Sequence, residues 1–432
     1  MKRVGWLTVV ILAGMCPDAS PQQKQGTDSF LECLASPSDV TGCYQVGDTA
    51  CIRVRALAGG VPLENVTIYY DCGNDMYPAD YEDSTVFHRG EALLPIGTRS
   101  EPGFRYCNFR FAAGGNSKHD FMKVAFSPDK ICPTVKMPLD FQAYWSRELE
   151  RTSKFPFRAE MTPVPCCSTS DVEVVLVKLT FTAEGRCLYG YLCKPRAEGH
   201  YPVLLNPPGA GMGRLKPDLS FAREGFITFT MEIHGISPLA AEEEYRLRWK
   251  EIGDYWCKGL DSREHYYYHD VFLGCVRAVD FLCSLPEFDG KHVGVYGGSQ
   301  GGALTMATAA LNRRVNFLVA FYPAMCDMSG FWHGKTGGWP KFFQKERIAS
   351  GAAPEILNTL AYYDVANFAR MLRVPGFYSW GYKDNTCPPT SVWAAVNCIR
   401  SPKTLRITPA SAHWTFPAVR REALEWMKSQ LK

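Results

Sequence analysis

At 432 residues the chain is about three times a typical domain of ~150, which excludes a single small module and leaves room for a large core. Hydrophobic residues make up 46% and charged residues 21%, a balance that excludes disorder as the main state. Lys and Arg number 47 against 44 Asp and Glu, a net charge of +3 without long basic runs, so nothing argues electrostatically for nucleic acid.

At the N-terminus, Lys2 and Arg3 precede the mostly apolar residues 5–15, and residues 1–20 read as an export signal too short to span a bilayer. Cys16 closes the stretch in near-lipoprotein fashion, but Met15 beside it and one residue too many disfavour lipidation. No later run of ~18 apolar residues occurs, so no membrane span is expected. The mature protein is placed outside the cytoplasm, secreted or periplasmic, with a surface tether through Cys16 as the alternative. Sixteen cysteines follow Cys16. An even number in an exported chain suits disulfides, a large core suits buried free thiols, and both readings stay open.

From residue 31 to 135 short alternating runs are separated by Gly, Pro, Asn and Asp. Val66, Ile68, Tyr70 and Cys72 share one strand face, as do Cys107, Phe109 and Phe111, and Met122, Val124 and Phe126. The pattern predicts a small all-β sandwich, read as an accessory domain. Residues 133–138 look like a linker, and Phe141, Tyr144, Trp145 and Leu149 repeat at helical spacing after Asp140. A second domain, 138–432, opens with strand-like runs at 172–181 and 186–193. Apolar runs at 201–205, 226–231, 292–296, 317–321, 376–380 and 405–408 then alternate with helical stretches. That alternation predicts a doubly wound, mostly parallel α/β sheet.

Within it, Val293-Gly294-Val295-Tyr296 runs into Gly297-Gly298-Ser299-Gln300-Gly301-Gly302 and then the helix-forming 303–307. A buried strand ending in G-x-S-x-G and opening a helix is a nucleophile elbow, with Ser299 at its tip and the helix N-terminus favouring a developing oxyanion. A serine hydroxyl needs a base and an orienting acid, which follow in the order Ser, Asp or Glu, His. Asp384 lies just past the 376–380 strand. His413 follows the last strand, and His333, the other histidine beyond Ser299, sits in a Gly-rich loop with no strand before it. Ser299, Asp384 and His413 are therefore the expected catalytic residues.

On Asp140-Phe141, the helix through Tyr266-Tyr267-Tyr268 to Asp280, residues 297–302, and Asp384 with Cys387-Pro388-Pro389, the chain resembles the acetyl xylan esterase and cephalosporin-C deacetylase family of carbohydrate esterases, within the α/β-hydrolase fold. The resemblance implies that Ser299 is nucleophile, Asp384 acid and His413 base, and that small acyl groups, chiefly acetyl, are removed from sugar hydroxyls without metal or organic cofactor.

This chain departs from the family pattern at three points. Asn206-Pro207-Pro208-Gly209-Ala210-Gly211 stands where His-Gly-Tyr is usual, His234-Gly235-Ile236 where Arg-Gly-Gln is usual, and Trp414 follows His413 in place of Glu. In this fold the oxyanion hole combines the N–H after the nucleophile with one from an early loop. Those donors are expected to be Gln300 and Ala210, since Pro207 and Pro208 have no N–H and the resemblance puts Ala210 where the family carries tyrosine, with Gly211 as the fallback. His265 and His269, four apart, have a metal-ligand spacing but lack H-E-x-x-H, so no metal is expected there. The expected function is an extracytoplasmic serine esterase deacetylating a polysaccharide or its oligosaccharides. The alternatives are an α/β-hydrolase acting on other small esters and a non-catalytic carbohydrate-binding surface protein. No nucleic-acid partner is expected, and the oligomeric state is left open.

Overall fold

The computed structural model describes residues 30–344 and 353–432. The export-signal reading of residues 1–20, with Cys16, falls outside them.

Two sheets form the N-terminal region. One pairs β1 (Leu31–Pro37), β4 (Val61–Pro62) and β7 (Glu91–Gly97) on β3 (Ala50–Ala58). The other runs in the order β2 (Cys43–Tyr44), β9 (Asn116–Phe126), β8 (Gly103–Ala113), β5 (Thr67–Asn74), β6 (Ala79–Val86). Alternation along the strands feeds one shared core: Ile52 and Val54 from β3, Ile68, Tyr70 and Cys72 from β5, Cys107, Phe109 and Phe111 from β8, and Met122 and Val124 from β9. Val66, on the predicted β5 face, precedes that strand and is only partly buried.

After α1 (Phe141–Ser153), which buries Phe141, Tyr144 and Trp145 as its spacing predicts, a nine-stranded sheet begins. Its strands are β10 (Arg158–Pro163), β11 (Val172–Thr180), β12 (Cys187–Pro195), β13 (Tyr201–Asn206), β14 (Ile227–Met231), β15 (Phe288–Gly298), β16 (Phe317–Phe321), β17 (Gly376–Gly381) and β18 (Lys403–Thr408). Their spatial order is β10-β11-β12-β14-β13-β15-β16-β17-β18, antiparallel through the β12–β14 pair and parallel from β14 to β18. Alternate residues face two different layers. Val293, Val295, Leu318 and Ala320 join a core with α4 (Tyr268–Leu282) and α5 (Gln300–Leu311), while Leu204, Phe317, Val319 and Phe321 join Val419, Ala423 and Met427 of α9 (Pro417–Ser429). This is the doubly wound, mostly parallel sheet expected of an α/β-hydrolase. β10 is the strand that periodicity misses: all six of its residues are exposed at the sheet edge, so no apolar alternation marks it.

Candidate active site

β15 delivers the elbow. Ser299 sits at φ 58°, ψ −126°, between the strand and α5, a conformation that costs a non-glycine residue energy and persists only where its surroundings fix it. Those surroundings are hydrogen bonds from Ser299 N–H to the Phe321 carbonyl and from the N–H groups of Ala303 and Ala324 to the Ser299 carbonyl. The flanking glycines are sterically required. A Cβ on Gly297 would stand 2.5 Å from the Gly301 carbonyl oxygen, and one on Gly301 would stand 2.5 Å from that of Pro207.

Residues 381–388 follow β17 and carry Asp384, which is fully buried. Its Oδ1 accepts the N–H groups of Thr386 and Cys387, each at 2.8 Å, and its Oδ2 lies 2.8 Å from His413 Nδ1. His413 Nε2 in turn lies 2.9 Å from Ser299 Oγ. The structure thus brings the three sequence-predicted residues, from three different strand ends, into one hydrogen-bonded chain. The imidazole thus bridges a carboxylate and a hydroxyl through its two ring nitrogens.

The loop after β13, residues 206–213, passes the N-terminus of α5. Gln300 Nε2 donates to the carbonyls of Pro208 (3.3 Å) and Gly209 (3.0 Å), and its Oε1 accepts the hydroxyls of Tyr255 and Tyr268. Tyr255 Oη also accepts the Gly211 N–H at 3.2 Å, and His234 Nε2 meets the Gly211 carbonyl at 3.1 Å. Among the described residues the Ala210 N–H has no protein acceptor, and the Gln300 N–H, first in α5, has none within its helix. The Gly211 donor, the sequence fallback, is already engaged.

A family model described as acetyl xylan esterase matches residues 129–430. The acetyl esterase Axe7A of Xylanibacter ruminicola is 38% identical over 442 residues, covering 100% of this chain and 98% of that one. The chain belongs to the acetyl xylan esterase family. It is accordingly a carboxylic ester hydrolase. Two solved acetyl xylan esterases share the fold at 24% identity: the enzyme from Thermoanaerobacterium sp. JW/SL YS485 (TM-score 0.63, 71% of this chain and 98% of that one) and that from Paenibacillus sp. R4 (TM-score 0.61, 70% and 98%).

One of the departures from the acetyl xylan esterase pattern, His234, braces the loop after β13. Beyond its bond to Gly211, His234 meets Tyr267 Oη through Nδ1 at 2.7 Å, and burial holds its pKa down at about 4, so the ring is neutral. Glu232, just past β14, anchors this turn by accepting the N–H groups of Tyr189, His234 and Ile236, and burial raises its carboxyl to about 7. Sequence reasoning missed both Glu232 and Tyr255. A carboxylate directly after a buried strand was the available signal for the first; the second lies on a short turn with no pattern of its own.

Other candidates sit apart. His265 is exposed and precedes α4, while His269 is buried between Glu148 and Asp270, each 3.1 Å from a ring nitrogen. The two do not form a ligand pair. His333 bonds the Ser329 carbonyl of its own turn. Asp384, Cys387 and His413 place metal-ligand atoms within 4.8 Å of one another. Asp384 and His413 already use those atoms on each other and on the loop, and burial raises the Cys387 thiol well above its usual pKa, keeping it a neutral, weak ligand. A cavity of about 490 Å³ is walled by His234, Arg248, Tyr267 and His269 and by none of Ser299, Asp384 and His413. The cavity is thus separate from the hydrogen-bonded chain of Ser299, His413 and Asp384. The described cysteines other than Cys257 stand as thiols, several of them buried, such as Cys72, Cys107 and Cys275.

Proposed function

We propose that this acetyl xylan esterase family member is a serine esterase that removes acetyl groups from O-acetylated xylan or a related polysaccharide, with Ser299 as nucleophile, His413 as base and Asp384 as orienting acid. Ser299 Oγ attacks the acetyl carbonyl carbon while His413 Nε2 takes the hydroxyl proton. The oxyanion so formed accepts the N–H groups of Gln300 and Ala210. Collapse breaks the ester C–O bond, and His413 returns its proton to the departing sugar oxygen. Water, deprotonated by the same nitrogen, then attacks the acetyl-serine carbonyl; the bond from Ser299 Oγ to the acyl carbon breaks, Oγ takes the proton back from His413, and acetate leaves. Asp384 holds the tautomer and stabilises the imidazolium. No step draws on a cofactor.

The observation that carries this reading is His413 bridging Asp384 and Ser299 within hydrogen-bond distance on both sides. The esterase is assigned to residues 138–432 and the accessory sandwich to 31–135, with an exported protein following from the leader read in residues 1–20. Acetate release from acetylated xylan, acetylated pectin and a small acetyl ester, assayed side by side, tests the substrate. Xylan should be turned over with the highest kcat/KM of the two polymers, and release from the small ester alone would refute the polysaccharide reading.

A further inference from the structure

The loop that carries Asp384 is gripped from outside the sheet that bears it. Lys123 lies on β9 of the N-terminal sandwich, and a lysine is almost never fully buried unless it is paired. Here its side chain is 2% exposed, as is that of Asp75, whose carboxylate stands 2.7 Å from the ammonium. The ammonium also donates to the backbone carbonyl of Asp384 at 3.2 Å. Asp75 reaches across the same seam: its Oδ2 accepts the Thr390 hydroxyl at 2.6 Å, at the start of α8 (Pro389–Val396), and its carbonyl accepts that of Thr336. The residues before Asp384 are held in the same way. Lys383 pairs with Asp120 at 2.6 Å, and Tyr382 bonds Cys43 Sγ at 3.2 Å and packs its ring edge-on against Phe104. Consecutive residues 382, 383 and 384 are thus each tied to the sandwich, and Thr390 extends the grip past the loop's end.

A buried ion pair is a poor source of stability, because desolvating both charges offsets their attraction. What it does here is fix direction, since the ammonium reaches both the Asp75 carboxylate and the Asp384 carbonyl while Asp75 Oδ2 holds Thr390. The pair is also neutral overall, so it grips the loop without placing a net charge beside His413. We propose that Lys123 and Asp75 are positioning residues for the esterase reaction, through which the N-terminal sandwich sets the orientation of the Asp384 loop and makes the sandwich part of the catalytic apparatus. The inference rests on the reading of Asp384 as the orienting acid.

The test is steady-state deacetylation of a small acetyl ester by the full-length chain, so that polymer binding does not enter. Lys123→Met combined with Asp75→Asn removes both charges while keeping size, and should give a folded protein whose kcat falls about 10- to 100-fold with KM unchanged, since small misplacement of a reacting group is costly. Asn397→Ala is the control: it cuts the seam elsewhere, where Asn397 Nδ2 donates to the carbonyls of Pro128 and Ile131 at 2.9 Å each. It should lower the melting temperature and leave kcat at the wild-type value. A folded double variant with wild-type kcat overturns the proposal, and so does an equal loss of kcat in Asn397→Ala, which would make the effect a general loosening. If the double variant does not fold, Thr390→Val, which removes one bond to Asp75, should still lower kcat about threefold or more; wild-type kcat there overturns the proposal as well. Asp384→Asn in the same assay separates the two levels. Full activity of that variant would sink the reading of Asp384 itself, whereas its inactivity beside a fully active seam variant would sink the positioning role alone.

Discussion

Two loops converge on Ser299, and they are held by different chemistry. Residues 381–388, which carry Asp384, are held by charged groups of the N-terminal sandwich, namely Lys123 with Asp75 beside it and Asp120, and from the other side by Lys341 and the Ser411 carbonyl. Residues 206–213, which carry Ala210, are held within the catalytic region by Tyr255, His234 and the side-chain amide of Gln300. The difference follows from what each loop must present. A carboxylate has to be aimed in one direction with its oxygens occupied, and Asp384 has both oxygens bonded. In the proposed mechanism the oxyanion donor has to remain free, and the brace takes the polar groups on either side, the Gly209 carbonyl and the Gly211 N–H, leaving the Ala210 N–H unengaged. Hydrogen bonds to both carboxylate oxygens fix Asp384, whereas a braced loop with one N–H left free suits the proposed donor.

The largest effect expected is on the residue both loops serve. Ser299→Ala should reduce turnover of an acetyl ester by roughly 10^4-fold or more, His413→Ala should do the same, and the double variant should be scarcely worse than either, because such residues act as a unit. Fully additive losses in the double variant would show that the two do not act together. Next comes the gap itself. Ala210→Pro removes the free donor and should cost about 2.7–4 kcal/mol of transition-state stabilisation, whereas Ala210→Tyr keeps the N–H and should alter mainly substrate preference. Near-normal kcat in a folded Ala210→Pro protein would place the second donor elsewhere.

The brace also carries a pH signature of its own. Glu232 has its carboxyl raised to about 7 by burial, against an ordinary 4.5, so the folded state holds its proton more tightly than the unfolded state. Its contribution is therefore present in full below about pH 4.5 and is lost as pH rises through 7, on the order of 3 kcal/mol. His234 works in the opposite sense, since its depressed pKa of about 4 makes stability fall on acidification below 6.5. The variant comparison separates them. In melting temperatures taken from pH 4.5 to 8, Glu232→Gln should lose the downward trend toward high pH that the wild type shows from this group, and parallel curves for the two proteins would contradict the burial argument.

Some of this was readable in the residues and some was not, and the boundary is physical. The elbow announces itself because its backbone forbids side chains at Gly297 and Gly301, so the requirement is written into the residue types. Asp384 and His413 are marked by following strand ends in the required order. Lys123 carries no such mark. Alternation places Met122, Val124 and Phe126 on one face of β9 and so assigns Lys123 to solvent, yet the last five residues of that strand are all buried because the second face meets the catalytic region. Period-2 patterning reports one covered face and is silent when a second region covers the other. Polar edges fail for the reverse reason: β10 and most of β6 bury almost nothing, so hydrogen bonding alone makes them strands.

The smallest effect sharpens the contrast between the loops most finely. Tyr255 is fully buried, and its hydroxyl does two jobs, accepting the Gly211 N–H and donating to Gln300 Oε1 at 2.6 Å. Tyr255→Phe keeps the ring and removes both bonds. Gln300 Oε1 retains Tyr268, but the Gly211 N–H is left without its acceptor, at a cost of about 1–3 kcal/mol if no water replaces it. Because Gly211 adjoins Ala210, the loosened loop should also lower kcat severalfold. Tyr268→Phe provides the comparison, since it removes one of two donors to Gln300 Oε1 and leaves Gly211 bonded, so it should cost less turnover. If Tyr268→Phe proves the more damaging to kcat, the oxyanion loop is held chiefly through the Gln300 side chain, and the bond at Gly211 serves stability alone.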